Sequence, residues 1–163
     1  MSQDSVLFLL ISVTTVYAKH FNGGTITWAP IDPYDNSSIV NITITQTYSW
    51  TYSRYSCTTL IGDTASLSCI SSSCANYVST MTTVKGTCIS SDVGLDIATG
   101  QSVTPLTLLA GSQIILTYKS TAWLSLVQSV SSSYGLLTYI DLRIRSDNGR
   151  INSSPTSSMT ALV

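Results

Sequence analysis

Between residues 39 and 52 the chain alternates with a period of two. Val40, Ile42, Ile44, Gln46, Tyr48, Trp50 and Tyr52 form one set, and six of these seven are apolar or aromatic. Asn41, Thr43, Thr45, Thr47, Ser49 and Thr51 form the other set, and all are polar. Successive side chains of a strand point to opposite faces, so this pattern predicts a long strand with one face in a core and the other in water. At helical spacing the same residues would scatter around the axis. Gln46 interrupts the apolar face, and a β-bulge or bend is expected near it.

The rest of the chain reads as shorter strands separated by turn chemistry. Residues 25–28 form a strand entered through Gly23-Gly24, where positive φ or close backbone approach is expected. A turn cluster at 29–38, with Pro30, Asp32, Pro33, Asp35 and Asn36, leads into the long strand. Residues 53–79 hold most of the cysteines, with Leu60, Ile61 and Leu67 as apolar anchors. Strands are predicted at 81–89, 93–97 and 103–109, the last at a sheet edge because it contains Pro105. Ala110-Gly111-Ser112 turns into a strand over 113–127, with Ile114, Leu116, Tyr118, Ala122, Leu124 and Leu126 on one face. Trp123 falls on the opposite face and marks either a bulge or an exposed anchor. Over 136–145, Ile140, Leu142 and Ile144 are expected inside and Asp141, Arg143 and Arg145 outside. No amphipathic helix is apparent. The pattern predicts an all-β chain, an antiparallel β-sandwich of Ig-like or Greek-key type with a disulfide-rich insertion. A closed barrel is the competing fold. The sandwich is expected over 19–146, with 147–163 a Ser/Thr-rich linker or the start of a further module.

Composition adds the compartment. The apolar run 6–16 followed by Val16-Tyr17-Ala18 resembles a signal peptide cut after residue 18, although Asp4 stands where a basic residue is usual. No other segment reaches spanning length. Cys57, Cys69, Cys74 and Cys88 are an even set, which predicts two disulfides with three pairings open. The sequons at Asn36, Asn41 and Asn152 fit an exported chain, Asn152 least well because Pro155 follows its motif. Ser and Thr make up about a third of the residues, which suits solvent-facing strand positions and loops. With 9% charged residues and a formal net charge of −1, no basic surface for nucleic acid is expected. So sparse a charge leaves self-association open.

Catalytic chemistry is hard to place. The one histidine, His20, adjoins the expected cut, and no G-x-S-x-G elbow occurs. The aspartates lie mostly in turns, where they serve ordinary turn chemistry. Asp32 and Asp35 lack the spacing of a calcium loop. No metal and no cofactor is expected. The candidate ligand contacts are Trp123, Asp32 and Asp35, since Trp28 and Trp50 fall on core faces.

His20-Phe21-Asn22-Gly23-Gly24-Thr25-Ile26-Thr27-Trp28 resembles the opening block H-F-R-G-G-T-x-x-W of a group of secreted or surface-anchored animal multidomain proteins, with Asn22 in place of arginine. Tyr48-Ser49-Trp50, Leu60-Ile61-Gly62, Leu67-Ser68-Cys69 and Ile151-Asn152-Ser153-Ser154-Pro155 resemble later blocks of the same group. The resemblance implies an N-terminal extracellular β module without established catalytic residues. The expected function is therefore a non-catalytic interaction module in adhesion or in matrix or surface assembly. Its expected partners are other extracellular proteins, matrix components or glycans. The alternative is a carbohydrate-binding domain using exposed aromatics and the Asp32–Asn36 loop.

Overall fold

The computed structural model describes residues 21–72, 74, 77, 82–121 and 133–155. Eight strands and no helix occur among them: β1 (Phe21–Pro30), β2 (Ile39–Thr51), β3 (Leu60–Ile61), β4 (Ser68–Cys69), β5 (Gly86–Asp92), β6 (Ile97–Leu109), β7 (Gln113–Ser120) and β8 (Tyr134–Asp141). They form two sheets, one of five strands in the order β1-β2-β6-β5-β3 and one of three in the order β4-β7-β8. Every ladder is antiparallel. One buried cluster draws from both, with Trp28, Ile44, Trp50 and Leu106 from the larger sheet and Ile114, Leu116 and Ile140 from the smaller. The expected leader at 1–18 lies outside the described residues.

β2 is the predicted strand. Val40, Ile42, Ile44, Gln46, Tyr48 and Trp50 are buried, and the alternate residues from Asn41 to Ser49 are not. No bulge occurs at Gln46, because β2 pairs with β6 without a register shift from Ile39↔Leu109 to Thr51↔Ile97. The amide is accommodated chemically instead. Its nitrogen donates to the Thr83 carbonyl at 3.2 Å, and its oxygen accepts from the Tyr48 hydroxyl at 2.8 Å. The register shifts lie at Phe21/Gly23 in β1 and Cys88/Ser90 in β5. Gly23 has φ 144° at the first, and a Cβ on Gly24 would meet the Tyr48 ring at 2.5 Å. Both expectations for the glycine pair hold.

Three expectations are corrected. Residues 93–96 form the turn joining β5 to β6, with Asp96 at φ 55° and Val93 and Leu95 largely exposed. Aspartates flanking Gly94 outweigh the apolar residues, and the Asp92 carboxylate accepts from the Leu95 amide at 2.9 Å. The strand then runs unbroken from Ile97, and Gly100 within it is small for a packing reason: a Cβ there would lie 2.6 Å from the Ile61 side chain. Ile144 is exposed, and β8 ends at Asp141. The boundary expected after Ser146 also moves, because Ile151 is a core residue and the Ser154 amide donates to the Trp28 carbonyl at 3.0 Å. The chain is packed onto the fold at least as far as Ser154.

Pro105 sits as expected. β6 pairs with β5 only over Ile97–Gln101, so the stretch around Pro105 is bonded on the β2 side alone among the described residues. The cysteines pair as Cys57–Cys88 and Cys69–Cys74, with no free thiol among the described residues. The first bridge ties the loop after β2 to β5, and the second closes a short loop beyond β4.

Candidate binding surface

The loop before β2, the turn before β7 and the chain after β8 meet at one end of the two sheets. The Ala110 amide donates to the Ser38 carbonyl at 3.0 Å, and the Leu142 amide donates to the Ser112 carbonyl at 2.9 Å. The Ile151 amide donates to the Pro33 carbonyl at 2.8 Å, which draws the last described segment under the 31–38 loop.

Residues 144–151 form a hairpin. Ile144 and Ile151 are bridged, the Arg145 amide donates to the Arg150 carbonyl at 2.9 Å, and the Gly149 amide donates to the Arg145 carbonyl at 2.9 Å. Gly149 adopts φ 67°, a conformation that favours glycine. Arg145 and Arg150 thus leave neighbouring backbone positions on a short, bonded turn. The Arg145 guanidinium pairs with the Asp147 carboxylate at 2.6 Å, and Arg143 pairs with Asp141 at 2.7 Å. The bonds from Arg143 hold the Asp141 carboxyl below its ordinary range, and those from Arg145 do the same for Asp147. Both arginines are pulled up in turn. These pairs face water and contribute little to stability.

Arg150 is held differently. Its guanidinium lies over the Tyr34 ring, 4.6 Å from the centroid, and Nε donates to the Tyr34 hydroxyl. A cation over an aromatic face is favourable and fixes the side chain without neutralising it. Three of the seven basic residues of the chain therefore lie within eight positions. Three shallow clefts lie at this end, and the second and third of them are lined by these arginines. The largest, about 380 Å³, runs between β1 and β8 past Ile26, Trp28, Leu137 and Tyr139. A second, about 360 Å³, lies among Pro30, Pro33, Arg145, Asn148 and Arg150. A third, about 290 Å³, is bounded by Asp141, Arg143 and Arg145. Asn152 lines all three.

The candidate residues read from the sequence fare unequally. Asp32 and Asp35 are both in the 31–38 loop, but their carboxylates are engaged in turns, accepting from the Tyr34 and Ser37 amides at 2.9 Å. The bonds from Ser37 lower the Asp35 carboxyl. No group of three metal-ligating side chains occurs among the described residues. Trp123 lies outside the described residues. Asn36, Asn41 and Asn152 are exposed, and the Asn41 side-chain oxygen accepts from the Thr107 hydroxyl at 2.8 Å.

Of the aromatics assigned to core faces, Trp28, Tyr48, Trp50 and Tyr118 are buried, whereas Tyr52 is only half-buried, because β2 ends at Thr51. Phe21 stacks on Tyr134 with ring centroids 3.9 Å apart and meets Trp50 edge-on at 5.1 Å. Trp28 is buried, its indole nitrogen donating to the Tyr139 carbonyl at 2.8 Å. Burial pushes the Tyr48, Tyr77, Tyr118 and Tyr134 hydroxyls up, so they remain neutral phenols. Tyr118 donates to Asp63 at 3.2 Å and Tyr48 to Gln46, so these hydroxyls act as hydrogen-bond donors.

The basic hairpin went unread in the sequence. Its signal was present in Asn148-Gly149, the dipeptide that favours a tight hairpin turn, flanked by Ile144 and Ile151. Comparison of the chain with protein families, curated proteins and solved structures gives no match. Among the described residues no helix is long and apolar enough to cross a membrane.

Proposed function

We propose that this chain is an extracellular β-sandwich module with a non-catalytic binding role, acting in adhesion or in matrix or surface assembly. The observation that carries the reading is the end surface itself. Loops from both sheets are hydrogen-bonded into one framework that presents clefts, amides and guanidinium groups to solvent. Exposed polar loops on a rigid sheet scaffold are the usual seat of recognition. The two disulfides suit an oxidising compartment, and the sequon asparagines are exposed as glycan acceptors must be. The opening block of the sequence adds its resemblance to secreted and surface-anchored modules. The carbohydrate-binding alternative loses the support first assigned to it, because Asp32 and Asp35 serve turns and the described tryptophans are buried.

The test is expression of the full chain through the secretory pathway, with thiol counting by mass spectrometry. The expected product is exported, carries both bridges and binds cell-surface or matrix material. Retention inside the cell, or export with four free thiols, overturns the reading.

A further inference from the structure

We propose that the cleft between Arg145 and Arg150 binds the oxyanion of an acidic saccharide, a carboxylate or sulfate borne on a pyranose ring. The inference deepens the extracellular binding role proposed above and rests on it. Arg150 is the starting point. Tyr34 takes its Nε and the face of its guanidinium, and the two terminal nitrogens have no acceptor among the described residues. A guanidinium fixed in place with both terminal nitrogens left to donate is suited to the paired oxygens of a carboxylate or sulfate. The hairpin fixes Arg145 beside it through the backbone bond between the two residues.

The walls define the rest of the ligand. Pro30, Pro33 and Ile151 offer apolar surface, and Asn148, Asn152 and Ser153 offer amides and a hydroxyl. The Asn148 side-chain oxygen already accepts from the Arg150 amide at 3.0 Å, which leaves its nitrogen as a donor. A pyranose has both an apolar face and a rim of hydroxyls, and this combination meets both kinds of wall. An acidic peptide fits less well. The backbone groups of Arg145, Ile151 and Ser154 are bonded within the chain, so an extended peptide finds no ladder to join there. At about 360 Å³ the cleft stands at the small end of ligand sites, appropriate to one or two sugar rings.

Asp147 sets the sign of a second effect. It neutralises Arg145 in the free protein, so a bound oxyanion competes with it for that guanidinium. Removing this carboxylate should tighten binding, whereas removing Arg150 should weaken it. A folding defect cannot produce opposite signs in two exposed positions on one turn.

The experiment titrates the full secreted chain, with Asn152 verified as unmodified, against hexasaccharides by calorimetry at low salt. The probes are hyaluronan (carboxylate only), chondroitin sulfate (carboxylate and sulfate) and a neutral glucan, with a hexa-aspartate peptide alongside. At least one acidic saccharide should bind, and Arg150→Ala should weaken it about tenfold or more. Asp147→Asn should strengthen it, and the neutral glucan should not bind. The two acidic probes separate carboxylate from sulfate recognition. Equal binding of the neutral glucan or of the peptide, indifference to Arg150→Ala, or no binding at millimolar probe overturns the proposal. In that event an exported, fully bridged chain leaves the extracellular role intact, whereas free thiols remove both.

Discussion

The two disulfides should differ in what they contribute, and the difference follows from loop length. Cys57–Cys88 spans 31 positions and Cys69–Cys74 spans 5. A cross-link restricts the unfolded chain by an entropy that grows with the logarithm of the loop it closes. That relation gives ~3.7 kcal/mol for the longer loop and ~2.1 kcal/mol for the shorter at 25 °C. The longer bridge also secures a region with little other support, since β3 pairs with β5 only through Leu60↔Thr87 and Ile61↔Gly86. Its cysteines are at most partly buried, so replacing them with serine adds little transfer or cavity cost. The assay is equilibrium urea unfolding of Cys57→Ser/Cys88→Ser and Cys69→Ser/Cys74→Ser beside the parent, each with its remaining bridge verified. With a slope of ~1.5 kcal/mol/M, the first pair should lower the midpoint by ~2.5 M and the second by ~1.4 M. Equal shifts, or a larger loss from the 69–74 pair, would refute the loop-closure account and locate the stabilisation in native contacts.

Gln46→Ala should cost ~2–4 kcal/mol in the same assay, because it opens a cavity and strips partners from the Thr83 carbonyl and the Tyr48 hydroxyl. A loss under ~1 kcal/mol would mean that these groups find other partners. Gly86→Ala should destabilise by ~1–3 kcal/mol, because its Cβ would sit 2.6 Å from the backbone of Gln101, which cannot swing aside. Asp141 should titrate below the ordinary value of 3.8, because Arg143 bonds to its charged form. A depressed carboxyl stabilises the fold above its unfolded value, and that contribution is lost as the pH falls through the folded one. Arg143→Gln should return the titration, followed by NMR, towards 3.8, and an unmoved midpoint would exclude Arg143 as the cause.

How much of this was legible depends on which interactions choose the structure. β2 could be read because water on one side and the core on the other impose a two-residue period, and Val40 through Trp50 obey it. Gly23-Gly24 could be read because positive φ at the first and a ring pressed against the backbone of the second both call for glycine. β6 was harder. Gly100 is small because Ile61 of β3 packs against it, and such a partner is invisible to a local window. The same limit explains Gln46, where a buried amide called for a partner 37 positions away in sequence. At the candidate site the arginines alternate as a strand requires, but Ile144 faces outward, so a decaying pattern concealed the hairpin that carries them. Tyr34, which holds Arg150 from 116 positions away, could be found only in the folded chain.

Pro105 connects the sheet to the solubility of the molecule. In antiparallel pairs, residues that bond to one neighbour alternate with residues that bond to the other. The Ala110 amide bonds to the Ser38 carbonyl across β2, so the even positions of β6 are directed to β2 and the odd positions away from it. Val103, Pro105, Thr107 and Leu109 therefore turn their backbone groups towards the side that β5 leaves at Gln101. Val103 and Leu109 are also exposed, and no residue of β6 is charged. An edge with no neighbour among the described residues invites another strand, and proline in its middle removes a donor that such a strand would need. Pro105→Val should restore one amide per copy, worth ~1 kcal/mol each, and strengthen self-association by about 5–30-fold. Sedimentation across a hundredfold range of concentration measures it, with a melting curve to verify that the variant is folded. If the folded variant associates no more strongly than the parent, Pro105 does not guard this edge.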